Sequence, residues 1–297
     1  MDLSKAATEF AAAKINLSLH VTGQRADGYH LLDSLVVFAD VGDTIVVSHA
    51  GMDALMIDGQ FGAGLQANSS NLVAKARDDL RSTHNFPPVS IHLTKNLPVS
   101  SGIGGGSSDA AATMRAIAKL FGLPDQALAD IALSLGADVP MCLAAKPLIA
   151  KGIGDELTAV PDLPELFLVL ANPNVAVATP DVFKKLSNRN NPALPALPPH
   201  MDLLDFAEWL SRTRNDLQLP ALQLCPQIGD ALLALAETAP LLTRMSGSGA
   251  TCYGLYPNVD LAKVAASAIS ARHPNWWVKP AITGGTILAG KFSSTGH

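Results

Sequence analysis

The sequence predicts an α+β protein of two domains, 1–155 and 156–297. Three observations carry that prediction. Stretches of apolar–polar alternation open the chain and recur along it, as half-buried strands do. Between them lie stretches with apolar residues three and four positions apart, as on one face of a helix. NRNNPALPALPPH, at 188–200, is a long irregular connection rich in Pro and Asn. No heptad or unit of fixed period repeats.

In AAAKINLSLHV (11–21), Ala13, Ile15, Leu17, Leu19 and Val21 face one way and Lys14, Asn16, Ser18 and His20 the other. That is a strand with one buried face. An Asp27-Gly28 turn follows. LLDSLVVFADV and then DTIVVSH read as two further strands. Leu72, Ala76 and Leu80 place a helix over 71–81, and Val89, Ile91 and Leu93 a strand after it. Ala110, Met114, Ile117, Ala118 and Phe121 form one helical face, which Gly122 ends. A short helix, 128–135, closes at Gly136. KGIGDELTAV (151–160) reads as a hairpin turn and ELFLVLAN (165–172) as a buried strand. Helical stretches follow near 201–212, 216–224 and 227–238, with Asn215-Asp216 as a helix cap of no catalytic role. RMSGSGATCYGLYP (244–257) is a Gly/Ser loop leading into a strand, and ASAISARH and NWWVKPAIT give a last helix and strand.

Hydrophobic residues make up 48% of the chain and charged residues 16%, enough for a buried core. The formal net charge of -5 argues against nucleic acid or an anionic membrane as the main partner, though not against a local phosphate pocket. Cys142, Cys225 and Cys252 show no metal or redox spacing and read as buried thiols in a reducing cytoplasm. MDLSKAATEFAAAK has Lys5 and Glu9 and no long apolar stretch, so no signal peptide is expected. No apolar run is long enough to span a bilayer. A cytoplasmic monomer or weak homodimer is expected.

LPVSSGIGGGSSDAAATMRAI, residues 97–117, runs from a strand through residues without bulk into a helix. Glycines allow positive φ and close approach of another group to the backbone. A helix N-terminus adds unpaired N–H groups and a partial positive charge, so the combination is an anion site, most often for phosphate. No Gly-Lys-Ser/Thr follows, so this is not a Walker A loop. The third glycine of a dinucleotide fingerprint is Ser107 or Asp109, depending on the starting glycine. The competing reading is a flexible turn with Ser107 or Asp109 as helix cap.

The stretch 97–112 resembles the phosphate loop of the GHMP kinases, a Pro followed by Gly-Leu/Ile-Gly and then small residues into Ala-Ala. AKINLSLHVTGQRADGYHLLDSL (13–35), LGADVP (135–140) and RMSGSGATCYGLY (244–256) resemble, in order, the segments of one branch, the 4-diphosphocytidyl-2-C-methyl-D-erythritol kinases. One departure is Ala12 where many members have Pro before Ala-Lys. The resemblance implies a ribosomal-protein S5 domain 2-like N-terminal domain and a ferredoxin-like C-terminal domain. ATP binds in the groove between them in that family. It also implies an enzyme that phosphorylates the 2-hydroxyl of a cytidine diphosphate substrate in the non-mevalonate route to isoprenoid precursors.

The roles that follow come from the resemblance. Pro98, Val99, Ser100, Ser101, Gly102, Ile103, Gly104, Gly105, Gly106, Ser107 and Ser108 bind ATP. Asp138 is the general base, and Lys14 sits beside it and keeps the reacting groups correctly charged. Asn16 contacts the substrate; His30 hydrogen-bonds the cytosine edge while Tyr29 stacks on its face. Thr179 and Phe183 approach from the other side, and Ser246, Gly247 and Ser248 approach the phosphate loop and the substrate diphosphate. Mg²⁺ bridges the nucleotide phosphates, with Ser108 as candidate protein ligand. On the residues alone, Asp138 reads equally as the cap of a helix starting at Pro140, Lys14 as a solvated strand lysine and Phe183 as core. Two alternatives stay open: a GHMP kinase of the homoserine or mevalonate type, and a non-catalytic nucleotide-binding protein on the same fold.

Overall fold

The computed structural model describes residues 6–283. They form two compact units that interleave along the chain. The first takes the residues up to Ala13, then Gly42–Val99 and Gly104–Ala145; the second takes Lys14–Val41, Ser100–Ile103 and the chain from Lys146. The boundary expected at 155 falls in a tight turn of the second unit.

Two long strands, β1 (Ala6–Gln24) and β2 (His30–His49), pair with each other and contribute to both units. In the first unit, β3 (Ala54–Asp58) lies parallel to β4 (Val89–Thr94), which pairs antiparallel with Thr44–His49 of β2. Helices α1 (Leu72–Thr83), α2 (Gly105–Phe121), α3 (Asp125–Leu135) and α4 (Val139–Ala144) pack with one another. Asn71 caps α1 by accepting the Val73 N–H. Gly122 ends α2 in the left-handed conformation, φ 68°.

Where two strands were expected on either side of Gly42, β2 runs straight through. A side chain at Gly42 would put Cβ 2.3 Å from the Ala11 carbonyl oxygen. The glycine there serves close approach of two backbones rather than a turn. The sequence predicts no strand at β3, which is short and half-exposed.

In the second unit, Leu32–Val36 of β2 pairs with β5 (Leu148–Gly152), which forms the expected hairpin with β6 (Glu156–Ala159). The remaining elements are β7 (Leu166–Asn172), α5 (Thr179–Lys184), α6 (Leu203–Ser211), α7 (Gln218–Leu224), α8 (Gln227–Ala236), β8 (Leu242–Met245), β9 (Cys252–Tyr256), α9 (Val259–Arg272) and β10 (Trp277–Thr283). Strand order is β10-β7-β9-β8, all neighbours antiparallel. With α8 leading into β8 and α9 joining β9 to β10, this is the expected ferredoxin-like βαββαβ arrangement, with α5 to α7 inserted after β7. Val169, Ala171, Met245 and Cys252 pack in one core with Ile228, Ala231 and Leu235 of α8 and Ala262, Ala266 and Ile269 of α9. Many of the helix residues are alanines, which let the helices lie close to the sheet.

The connection over 188–200 is irregular, as expected, yet firmly tied. Asn191 donates its N–H to the Val21 carbonyl, Leu194 to the Asp33 carboxylate, and Trp209 donates from Nε1 to the Ala196 carbonyl. Among the described residues no helix is long and apolar enough to cross a membrane.

Candidate active site

The loop between β4 and α2 is organised by its carbonyl groups. Those of Ser100, Ser101, Gly102 and Ile103 accept, in turn, from the N–H groups of Val177 and Thr251, the Ser246 hydroxyl and the Lys14 N–H. The loop's acceptors are thereby occupied by protein. At the start of α2, the N–H groups of Gly105, Gly106 and Ser107 have no acceptor within the helix. The N-cap is Gly104, left-handed at φ 66°, and no side chain caps the helix. The cap reading for Ser107 or Asp109 therefore fails: both lie inside α2. The donors at this helix end are not taken by a side-chain cap. The Ser108 hydroxyl, proposed for a metal, is buried and donates to the Ala12 carbonyl at 2.7 Å.

The second Gly/Ser loop touches the first through backbone. Cβ at Gly102 would fall 2.5 Å from the Ser246 carbonyl oxygen, and Cβ at Gly247 2.6 Å from that of Gly102. Only glycines permit this crossing, and both are left-handed, at φ 75° and 55°. The Ser246 hydroxyl joins the two loops to β1, accepting the Asn16 N–H at 3.1 Å while donating to Gly102. Asn215, expected only as a helix cap, donates its amide to the Met245 and Gly247 carbonyls, both at 2.8 Å. It also serves the helix start as expected: its Oδ1 accepts the N–H of Leu217, the residue in the N-cap position of α7, at 3.0 Å. Arg244 is buried and donates to the carbonyls of Leu17, Leu210 and Thr213. Neither role was visible in the sequence, since each depends on carbonyls distant along the chain.

Strand β1 differs from the expected half-buried strand: Ala11–Val21 is buried on both faces. Lys14 is only 5% exposed, which removes the reading of a solvated strand lysine. Asn16 donates its amide to Ser34 Oγ at 2.7 Å, and Ser34 donates to the Ser18 carbonyl. The Asn16 Oδ1 is buried without a partner, an acceptor fit for a ligand donor.

His30 and Phe183, distant along the chain, come together as stacked rings with centroids 4.7 Å apart. Phe183 thus buttresses the imidazole directly, where sequence reasoning placed it across a gap. The His30 Nε2 is buried and has no partner. Burial, with the Arg189 charge, lowers the His30 pKa and favours the neutral ring. Thr179 and Ser248 share a hydroxyl–hydroxyl hydrogen bond of 2.7 Å, while Tyr29 is 60% exposed. In the first unit, Asp138 is the N-cap residue of α4, but its side chain makes no cap hydrogen bond. The cap reading of this carboxylate is therefore set aside.

One cluster escaped sequence reasoning. Lys95, at the end of β4, donates to the carboxylates of both Asp43 and Asp109, the latter at 2.6 Å. All three side chains are buried. Burial raises the Asp109 pKa, with the like charge of Asp43 adding and Lys95 opposing. Burial alone would lower the Lys95 pKa, but Asp109 and Asp43 outweigh it and hold it above the usual value.

Two loops without bulk meet at β1, and α2 begins without a side-chain cap. Comparison with known proteins gives the class: residues 71–146 match the GHMP kinases N terminal domain and 192–275 the GHMP kinases C terminal domain. The chain belongs to the GHMP kinases. It is similar to the 4-diphosphocytidyl-2-C-methyl-D-erythritol kinase of Mesorhizobium japonicum, 54% identical over 91% of this chain and 94% of that one. The protein of the same name from Ruegeria pomeroyi is 53% identical over 90% and 96%. A crystal structure of 4-(cytidine 5'-diphospho)-2C-methyl-D-erythritol kinase superposes with a TM-score of 0.76 at 31% identity, covering 94% of this chain and all of that one. Homoserine kinase from Cytophaga hutchinsonii shares the fold, with a TM-score of 0.68 at 18% identity over 95% and 96%.

Proposed function

We propose that this chain transfers the γ-phosphoryl group of ATP to the 2-hydroxyl of 4-diphosphocytidyl-2-C-methyl-D-erythritol. Relatives that align over most of the chain carry that substrate in their names. The observation that carries the reading within this chain is His30, a neutral imidazole braced by Phe183 whose buried Nε2 lacks a partner. A small alcohol without a base needs no such group. The uncapped start of α2 and the loop before it bind the nucleotide phosphates. Asn16, Thr179 and the 246–248 loop bind the substrate. The substrate oxygen bonds to the γ-phosphorus as the bond to the ADP oxygen breaks, and the hydroxyl proton passes to the Asp138 carboxylate. Lys14 supplies the positive charge that keeps these groups correctly ionised. Mg²⁺ is part of the proposal as the counter-ion of the nucleotide phosphates. The described residues bring together no group of three His, Cys, Asp or Glu side chains, and Ser108 gives its hydroxyl to Ala12. No protein ligand is assigned, and the nucleotide phosphates and water would supply most of the ion's oxygens. The three cysteines are free and buried, in keeping with a cytoplasmic setting. A coupled assay with ATP and three alcohols tests the reading. Turnover is expected with 4-diphosphocytidyl-2-C-methyl-D-erythritol alone; turnover of homoserine or mevalonate in its place overturns it.

A further inference from the structure

We propose that Asp43, Lys95 and Asp109 form a buried charge clamp that positions the phosphate loop for ATP, beyond any contribution to stability. The inference rests on the reading of that loop as the nucleotide site. The three side chains come from β2, from the end of β4 just before the loop, and from the first turns of α2 just after it. Lys95 Nζ donates to Asp43 and, at 2.6 Å, to Asp109. The other oxygen of Asp43 accepts the N–H groups of Asn96 and Leu97, the residues that lead into the loop. One ammonium therefore ties the segment entering the loop to the helix leaving it. The same Nζ would lie 3.0 Å from a Cβ at Gly105, so it is packed against the first residue of α2. A buried ion pair is often no more stabilising than an apolar plug of equal volume. What charged groups add is direction: each of these bonds sets the angle of a backbone segment that flanks the anion-binding N–H groups. Asp43, Lys95 and Asp109 are thus positioning residues that touch no reacting atom.

The test measures KM for ATP and for the alcohol substrate, with thermal unfolding, in the wild type and in Gly105→Val, Lys95→Met, Asp109→Ala and Asp109→Asn. Gly105→Val blocks the loop and also presses on Lys95 Nζ, and is expected to raise the ATP KM strongly. Asp109→Ala is expected to raise the ATP KM about tenfold, with the alcohol KM within about twofold, as one charge-assisted hydrogen bond is lost. Asp109→Asn keeps an oxygen that accepts from Lys95 and is expected to return the ATP KM to within about threefold of wild type. Lys95→Met should exceed Asp109→Ala; if it fails to fold, the Asp109 variants decide. A normal ATP KM in Asp109→Ala, beside a raised one in Gly105→Val, overturns the clamp and leaves a merely structural cluster. A normal ATP KM in Gly105→Val overturns the loop reading, and the clamp with it.

Discussion

Asp138 stands where α4 begins and gives that helix no side-chain cap bond; the proposal makes its carboxylate the proton acceptor. Asp138→Ala is expected to lower kcat by ~10²–10⁴-fold, the usual worth of a general base, with the ATP KM within a few fold. Steady-state kinetics on a variant of unchanged unfolding temperature checks this, and near-normal turnover removes Asp138 from the mechanism. At His30, a uridine analogue exchanges an amino donor for a carbonyl and N3 for N3–H. A group left unpaired there costs roughly 1–3 kcal/mol, so kcat/KM should fall ~10-fold or more. His30→Ala should narrow that gap, whereas equal rates for both substrates in the wild type defeat the base-reading role. Both residues were legible as positions in quoted segments. Lys95 was not, because the short run Lys95-Asn96-Leu97 looks like any polar turn before a loop. Its importance lies in two carboxylates distant in sequence.

A neutral histidine adds to the bonds that tie strand β1 to the connection over 188–200. His20 donates from Nδ1 to the Pro192 carbonyl at 3.0 Å and accepts the Arg214 N–H at Nε2, at 3.1 Å. Protonation at Nε2 would abolish the second bond. Burial first, then the Arg214 charge, lowers the His20 pKa from 6.5, against the opposing pull of Asp216 and of the Pro192 and Ala193 backbone. The unfolded chain thus binds a proton that the native state resists. The stabilisation is present in full above the unfolded value and is lost as pH falls through the lowered native one. Unfolding temperatures of wild type and His20→Asn, measured from pH 8 to 5, should converge on acidification; a constant gap rules the switch out. The sequence placed His20 on the polar face of a strand and stopped there. Periodicity cannot say whether a polar face meets water or carbonyl groups. The glycines at 102 and 247 show the opposite case. Gly/Ser composition announced both loops, and only their crossing explains why these two positions refuse a side chain.

At the scale of the molecule, the proposed ligand contacts divide between the units: the start of α2 lies in the first, and His30, Asn16 and the 246–248 loop in the second. Ligand binding should therefore be separable by thermal unfolding. A ligand at 100 times its Kd stabilises by about 2.7 kcal/mol, which is roughly 4 °C in Tm for a chain of this size. A non-hydrolysable ATP analogue should raise the wild-type Tm by that order. Gly105→Val should lose this shift yet keep the one produced by the cytidine diphosphate substrate. Loss of both shifts would mean that the substitution damages more than the phosphate loop. What the sequence by itself determined was local: the helices and most strands through their periodicity, the two Gly/Ser loops through composition, and the family through four ordered segments. Tertiary structure alone decided which polar residues are buried, that Gly42 continues a strand, that Lys95 holds two carboxylates, and how the two units interleave. The reason is physical: alternation records only the contrast between two faces of an element. Burial and pairing are set by partners that the chain brings together from far along its length.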